Sequence, residues 1–226
     1  MSTLPILPPG YSTKAVSLQL EHLSIQLTLI QNLDELLEQL IAKGPEHEDV
    51  RDERIPYWAE LWPSALALSR HLVCTNAVKP GQTVLEMGCG LGLPGLVAGK
   101  LGAQVILSDY LSDALSFAAY NWGQNHPETA RVELLDWRYP RPELASDLLL
   151  ASDIAYESRA LPYLAPAFRA LCRPGGRILV ADPSRSASAN FFKKLPEQGF
   201  SVEVFSYIEP YNGHAFRIQV YAISPV

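Results

Sequence analysis

Hydrophobic and polar residues alternate with two different periods along this chain, which predicts a fold built from both strands and helices. Near the N-terminus, positions 16–20 and 23–29 alternate one by one, and a slip in phase at Glu21 predicts a turn between two short strands. Leucines and isoleucines spaced three and four apart follow Asn32, which predicts a helix capped by that residue. We expect residues 1–12, which contain three prolines, to form a loose arm.

Further along, short apolar runs take turns with helical patterns, the order typical of a parallel sheet covered by helices. Two longer alternating runs near the C-terminus predict a closing antiparallel pair. We therefore predict an α/β fold: a Rossmann-like, doubly wound sheet of seven strands with a C-terminal antiparallel hairpin and an N-terminal extension of β-hairpin and helix. The predicted strands of the sheet are 83–87, 104–108, 132–135, 147–152, 177–181, 200–207 and 215–222, and the principal helices are 93–101, 111–125 and 159–171.

The chain has 226 residues, of which 48% are hydrophobic, so it is long enough to bury a full core. We predict an N-terminal extension over 1–54, which ends in a charged loop at 43–54, and a main domain over 55–226. The two parts are expected to form one compact unit, and we expect a monomer.

Charge, apolar runs, cysteines and histidines limit the ligands and the cellular location that we expect for this protein. The net charge is −6 and no basic patch is apparent, which argues against nucleic-acid binding. No apolar run reaches the ~18 residues that span a bilayer, and no secretory signal is recognisable, so we expect no membrane association. The three cysteines lie far apart, which indicates a reducing, cytoplasmic location. The five histidines show no metal-site spacing, so no metal is predicted.

A glycine-rich stretch directly follows the first strand of the predicted sheet, and it reads EMGCGLGLPG over 86–95. Gly88, Gly90 and Gly92 allow positive φ and let a ligand approach bare backbone. Gly90, Gly92 and Gly95 also satisfy the dinucleotide pattern G-x-G-x-x-G, so binding of NAD is an open alternative. Glu86, however, stands two residues before the first glycine and would repel a pyrophosphate. It suits a cationic, phosphate-free cofactor such as S-adenosylmethionine.

Acidic residues also follow the next three strands. Asp109 comes 19 residues after Gly90, where a carboxylate can accept from ribose hydroxyls, although it could equally cap a helix. Asp136 and Trp137 could accept from an adenine amino group and cover its ring, or form a plain turn. Asp153 follows an almost purely apolar strand and precedes Tyr156 by three residues. The carboxyl ends of parallel strands share one edge, so we expect Asp153 to lie at the same edge as Gly88 and Asp109.

Together these motifs resemble class I (seven-β-strand) methyltransferases, and within that class the protein-lysine methyltransferase family. The resemblance covers roughly 55–222 and is carried by the glycine motif, by Asp-x-x-Tyr at Asp153 and Tyr156, and by Trp-x-x-x-Trp-Pro from Trp58 to Pro63. The nearest members are the lysine methyltransferases of the electron-transfer flavoprotein β-subunit and of valosin-containing protein. The run Asp182-Pro183-Ser184-Arg185 resembles the Asp-Pro-x-Arg of the flavoprotein-directed members, although a plain Asp-Pro turn explains it equally well.

The resemblance implies a set of cofactor-binding residues for S-adenosylmethionine. It places Glu86 beside the methionine end of the cofactor and packs Trp62 over that end. The complete expected set is Trp62, Glu86, Gly88, Cys89, Gly90, Asp109, Tyr110, Asp136, Trp137 and Ser152.

The function that the resemblance implies is methyl transfer to a nitrogen nucleophile, most simply a lysine of a protein substrate. Asp153 is the candidate carboxylate that orients the amine or accepts its proton, and Tyr156 is expected to wall the acceptor channel. A protein arginine or a small-molecule acceptor is the alternative within the same class. An NAD-dependent oxidoreductase and a non-catalytic cofactor-binding module are the alternatives from other classes.

Overall fold

The computed structural model describes residues 4–51 and 56–226. Within them the strands are β1 (Thr13–Leu20), β2 (Leu23–Ile30), β3 (Thr83–Met87), β4 (Gln104–Asp109), β5 (Arg131–Leu134), β6 (Ser146–Ser152), β7 (Cys172–Asp182), β8 (Phe200–Tyr211) and β9 (His214–Pro225). The helices are α1 (Leu33–Ala42), α2 (Glu48–Arg51), α3 (Pro63–Thr75), α4 (Leu93–Lys100), α5 (Ser112–Asn125), α6 (Leu161–Leu171) and α7 (Ser186–Lys194).

Seven of the described strands form one sheet in the order β5-β4-β3-β6-β7-β9-β8. Strands β3 to β7 pair in parallel, whereas β9 runs antiparallel to both β7 and β8. The remaining two strands, β1 and β2, form a separate antiparallel hairpin. The predicted doubly wound, seven-stranded α/β fold with its C-terminal antiparallel pair is confirmed.

The topology fixes where a ligand can bind. The chain runs from β3 outward to β4 and β5, then returns to the other side of β3 to form β6 and β7. Connections leave β3 and β6 in opposite directions, so a crevice opens between their carboxyl ends. The glycine-rich stretch and Asp153 follow these two strands and therefore lie at the crevice.

Two hydrophobic cores cover the two faces of the sheet. Val84 belongs to the core under α3, α4 and the β1–β2 hairpin, whereas Leu85 and Met87 belong to the core under α6 and α7. Because side chains alternate along a strand, Glu86 shares the face of Val84 and points toward α4. The hairpin contributes Leu20, Ile25 and Leu27 to that same core, so it is packed against the sheet rather than free of it.

Backbone groups along the β2 edge of the hairpin form hydrogen bonds with side chains of α5. The Asn121 side chain accepts from the Thr28 N–H at 2.8 Å and donates to its carbonyl at 3.4 Å, and Asn125 does the same for Gln26 at 2.9 and 2.7 Å. Four helical residues rise about 6 Å, close to the ~6.6 Å of two strand residues, so the two asparagines match the edge of β2. Asn121 also donates to the Leu91 carbonyl at 3.1 Å, which links the hairpin to the glycine-rich stretch.

Two details of the N-terminal part differ from the predictions. Within the described residues 4–12, Leu7 and Tyr11 pack against the core, so the prediction of a loose arm is wrong there. The Tyr11 hydroxyl donates to Asp113 at 2.5 Å, which fixes the arm to α5. Asn32 precedes α1 as predicted, but its side chain accepts from the Ser12 N–H at 2.9 Å and makes no capping hydrogen bond.

The predicted charged loop at 43–54 contains the short helix α2, and residues 52–54 lie outside the described residues. The boundary at 54/55 between extension and main domain also falls outside them, so that division stays a prediction. The turn predicted at Arg173–Gly176 is a bulge inside β7: Ser146 pairs with Cys172, yet Leu148 pairs with Arg177. In the described part of the chain, every helix is too short or too polar to cross a bilayer.

Candidate active site

The glycine-rich stretch forms a tight loop between β3 and α4. Gly90 has φ of +50°, and its N–H donates to Asp109 at 3.0 Å, so the end of β4 holds the loop that follows β3. A Cβ atom on Gly90 would lie 2.9 Å from the Trp58 carbonyl oxygen. The loop therefore needs glycine here both for its backbone conformation and for the close approach of the Trp58 segment.

Glu86 lies behind this loop and not in the crevice, because the alternation of β3 turns its side chain toward α4. Its carboxylate accepts from the Gly95 N–H at 2.8 Å, and a Cβ atom on Gly95 would come within 2.6 Å of the same oxygen. The other oxygen, Oε1, is buried and has no hydrogen-bond partner. Burial, offset in part by the Gly95 N–H and reinforced by the charge of Asp109, raises the pKa of Glu86 to about 8.

Asp109 ends β4 with both carboxylate oxygens in use. One accepts from the Gly90 N–H and the other from the Leu111 N–H at 3.1 Å. Burial raises the pKa of Asp109 to about 6, although these backbone donors pull it down. Helix α5 begins at Ser112 with Leu111 before it, so Asp109 does not occupy the helix-capping position. Asp109 also lines the crevice.

A solvent-open cavity of about 690 Å³ lies between the carboxyl ends of β3, β4 and β6 and the segment before α3. We call it the loop cavity. Every predicted site residue except Glu86 and Asp136 lines it: Trp62, Gly88, Cys89, Gly90, Asp109, Tyr110, Trp137, Ser152, Asp153 and Tyr156. The structure thus brings ten residues from six separate stretches of sequence to one cavity. Burial, reinforced by the nearby acidic groups Asp109 and Glu86, raises the pKa of Cys89, which keeps its thiol neutral.

Asp136 lies in a neighbouring cavity of about 830 Å³, which shares Tyr110, Trp137, Ile154 and Tyr156 with the first. Its carboxylate is held by the Arg138 guanidinium through contacts of 2.7–3.0 Å. Burial alone would raise the pKa of Asp136, but the Arg138 side chain brings it below its ordinary value. The expected contact of Asp136 with an adenine amino group stays a prediction.

Aromatic side chains form the rim of the loop cavity. The Tyr57 ring makes edge contacts with Trp62 and Tyr156, with centroids 6.0 and 5.5 Å apart. The Trp62 indole N–H donates to the Tyr57 carbonyl at 2.8 Å, which fixes the orientation of Trp62. Burial and neighbouring polar groups, Glu157 first among them, raise the pKa of Tyr156, so its phenol stays neutral. Tyr57 is a rim residue that the sequence prediction did not include.

Asp153 stands at the carboxyl end of β6 and is held in place from three sides. Its N–H donates to the Ala181 carbonyl at 2.8 Å. Its carboxylate accepts from the Ser64 hydroxyl at 3.3 Å, at the start of α3, and from the Arg185 guanidinium at 2.5 Å. Helix α6 begins only at Leu161, so Asp153 does not cap it. Neither Ser64 nor Arg185 belongs to the predicted site, although the Asp-Pro-x-Arg resemblance had drawn attention to Arg185.

The donor set of this cavity fits S-adenosylmethionine. The loop presents glycine backbone, and a Cβ atom on Gly88 would reach within 3.1 Å of both Trp137 and Ile154. Asp109 offers a carboxylate that can accept hydrogen bonds from hydroxyl groups. Asp109 and Asp153 both line the cavity, and their acidic side chains suit a cationic ligand. The described lining contains neither lysine nor arginine to pair with a pyrophosphate.

Comparison with known sequences places these features in one family. The family described as "Lysine methyltransferase" matches residues 52–198. The EEF1A lysine methyltransferase 3 of Mus musculus is 31% identical over 178 residues, which covers 76% of each chain. The histone-arginine methyltransferase METTL23 of Rattus norvegicus is 33% identical over 109 residues, 46% of this chain and 48% of that protein.

Comparison with solved structures agrees at the level of the fold. Magnesium protoporphyrin IX methyltransferase (ChlM) from Synechocystis PCC 6803 with bound SAM matches with a TM-score of 0.57 at 18% identity, over 86% of this chain and 92% of that one. The methyltransferase interpretation of the glycine motif is confirmed over the dehydrogenase alternative. The chain belongs to the lysine methyltransferase family of class I enzymes, which use S-adenosylmethionine as methyl donor.

Proposed function

We propose that this enzyme methylates the side-chain nitrogen of a lysine in a protein substrate. The observation that carries the proposal is the Asp153 carboxylate, which faces the loop cavity beside the glycine loop and is fixed by Ser64 and Arg185. The names of the family and of the mouse relative support lysine as the acceptor and a protein as its carrier. A protein arginine or a small molecule is the competing acceptor, and the rat relative motivates the first of these.

The chemistry requires a neutral amine. A lysine with a pKa of ~10.4 must lose its proton, which costs about 4.6 kcal/mol at pH 7. When bound, S-adenosylmethionine supplies an electrophilic methyl group, whose bond to sulfur breaks as the nitrogen lone pair forms the new bond. The enzyme's own part is to hold the amine in line at about 3–3.5 Å.

The described residues supply the remaining requirements. Asp153 can accept an N–H of the amine and so direct its lone pair, and it can receive the proton released afterwards. The rim of Tyr57, Trp62 and Tyr156 provides ring faces for the aliphatic part of a lysine.

The test is to identify the acceptor. Lysate from cells that lack the gene is incubated with the purified enzyme and S-adenosylmethionine carrying a labelled methyl group, and labelled species are identified by mass spectrometry. We expect label on lysine residues of one or a few proteins, and far less label on the same residues when Asp153→Asn replaces the wild type. Label confined to arginine, or to small molecules, would contradict the proposal.

A further inference from the structure

The acceptor side of the loop cavity carries a paired carboxylate. Asp153 is only 8% exposed, and one of its oxygens lies 2.5 Å from the Arg185 guanidinium, which is 44% exposed. The other oxygen accepts from Ser64. An anion at this depth is costly unless it is paired, and Arg185 is the cation that pairs it.

The turn that carries Arg185 is itself built around a buried acid. Asp182 is completely buried at the end of β7 and accepts from the Ser184 N–H at 2.6 Å and the Ser188 hydroxyl at 2.7 Å. Ser184 has φ of +58°, and its hydroxyl contacts the Tyr221 hydroxyl at 3.0 Å. The position of Arg185 is therefore fixed by its turn and not by the ion pair alone.

Among the residues that the structure describes, a small number of charged or titratable groups interact with Asp153 or with its partner Arg185. Arg185 lies on one side, the neutral Ser64 hydroxyl of α3 on another, and Asp182 is near enough to interact electrostatically with both Asp153 and Arg185. The Tyr57 phenol also interacts with Arg185, and Tyr156 stands on the rim. With Arg185 present, the Asp153 carboxylate is paired directly with one positive charge.

That pairing matters for an amine acceptor. An unpaired carboxylate within about 4–6 Å shifts the pKa of a cation upward by roughly 1–3 units. An unpaired Asp153 would therefore stabilise the lysine ammonium, which has no lone pair and cannot attack. A paired carboxylate still accepts an N–H from the neutral amine, but it attracts the ammonium far less.

We propose that Arg185 is a positioning residue that neutralises Asp153 and so admits the acceptor lysine as a free amine, an inference that rests on the proposed function. Arg185 thus acts through Asp153 and takes no part in bond formation. Its removal is expected to strengthen binding of a cation while it weakens turnover. Loss of a residue with a purely structural role would weaken both cation binding and turnover, or change neither.

The first test needs no natural substrate. n-Butylammonium, which mimics the end of a lysine, is titrated into the S-adenosylhomocysteine complex at pH 7 and followed by NMR. Arg185→Gln should bind it at least threefold more tightly than the wild type, Arg185→Lys should bind like the wild type, and Asp153→Asn combined with Arg185→Gln should lose the gain. The matched control is Arg173→Gln, which breaks a 3.1 Å ion pair with Asp147 at the opposite end of the sheet.

The second test uses the acceptor that lysate labelling identifies. For Arg185→Gln the acidic limb of the rate profile should move up by about one pH unit, in keeping with an unpaired neighbouring carboxylate. At pH 7, kcat should fall tenfold while KM does not rise, and Arg185→Lys should recover most of the loss. Melting temperatures verify that each variant is folded.

Equal butylammonium affinity in wild type and Arg185→Gln, or a loss of kcat that is the same at every pH, would overturn the inference. The proposed function fails by a different result, namely the absence of label on any lysine. The butylammonium titration remains decisive in that case, so the two failures are distinguishable.

Discussion

The carbonyl oxygen of Trp58 lies 2.9 Å from the point where a Cβ atom of residue 90 would stand, so the segment before α3 rests directly on the glycine loop. This contact closes one wall of the loop cavity. The Trp58 ring is fixed in turn by edge and tilted contacts with Tyr11 and Phe117, with centroids 5.7 and 5.6 Å apart. The wall of the cofactor cavity thus depends on two residues that are distant in sequence, Tyr11 in the N-terminal arm and Phe117 in α5.

Gly90→Ala should lower the free energy of unfolding by more than the cost of placing alanine in a left-handed backbone conformation. A left-handed φ costs a non-glycine residue roughly 1–2 kcal/mol, and the Trp58 carbonyl adds a clash. Gly81→Ala is the matched control, because Gly81 has φ of +77° but nothing within 4 Å of a Cβ atom. Urea denaturation of both variants measures the difference. Equal decreases in the free energy of unfolding would show that the Trp58 segment moves aside at no cost.

Asp153→Asn should keep S-adenosylhomocysteine affinity and melting temperature within error and lower methyl transfer by about 10²-fold or more. Asparagine preserves an acceptor for Ser64 but carries no charge. It also tolerates the φ of +53° at this position, which makes it a better test than alanine. Calorimetry and single-turnover assays on the identified acceptor measure both quantities. A near wild-type rate would remove Asp153 from catalysis.

Affinity for S-adenosylhomocysteine should fall as the pH drops through about 6, where Asp109 takes up its proton. The ionised carboxylate accepts hydroxyl donors better than the protonated form, so binding is strongest above that pH. Asp109→Ala should weaken binding by about 1.5–3 kcal/mol at pH 7.5, because a charged acceptor is lost. Asp109→Asn should flatten the pH dependence. Calorimetry at several pH values tests both statements, and an unchanged affinity in Asp109→Ala would leave that residue a structural role.

Stability should decline as the pH rises between about 4.5 and 8, because Glu86 holds its proton in the folded state to a pKa of about 8. The unfolded chain has already released that proton, so the folded state binds more protons over this range. The slope from one such group is at most about 1.4 kcal/mol per pH unit. Asp109, with a pKa of about 6, adds to the slope below that pH.

Glu86→Gln cannot ionise, and its free energy of unfolding should therefore depend less on pH than that of the wild type. Urea denaturation at pH 5, 6.5 and 8 gives the comparison. Parallel pH curves for the two proteins would mean that Glu86 is ionised throughout. Thr83→Ser, a conservative change elsewhere on β3, serves as a control for altered packing.

The position of Asp153 was predictable, whereas its partner was not. An almost purely apolar strand followed by an acid identifies the carboxyl end of a central strand, and the structure confirms that placement. Arg185 lies 32 residues further along, and only the pairing of Ser152 with Ala181 in neighbouring strands brings it into contact. Register between strands is set by the whole sheet, so no local pattern reveals it.

For Glu86, the sequence contained the information on side-chain orientation, but the motif resemblance pointed elsewhere. The motif resemblance placed this acid beside the cofactor, yet the alternation of β3 turns its side chain behind the loop toward Gly95. The same alternation was readable from the sequence, since Val84 and Glu86 stand two residues apart. Its unpartnered oxygen and raised pKa, by contrast, depend on packing by α4 and on the nearby Asp109, which sequence spacing does not disclose.

The asparagine pairing of β2 has a consequence for synthesis on the ribosome. Gln26 and Thr28 meet their partners 99 and 93 residues later in the chain. At about 5–20 residues per second, the hairpin therefore waits roughly 5–20 s with one edge open before α5 emerges. During that interval its apolar face also has no core to join, and an isolated two-stranded hairpin is at best marginally stable. During that interval the nascent hairpin is exposed to chaperones and to mispairing with other chains.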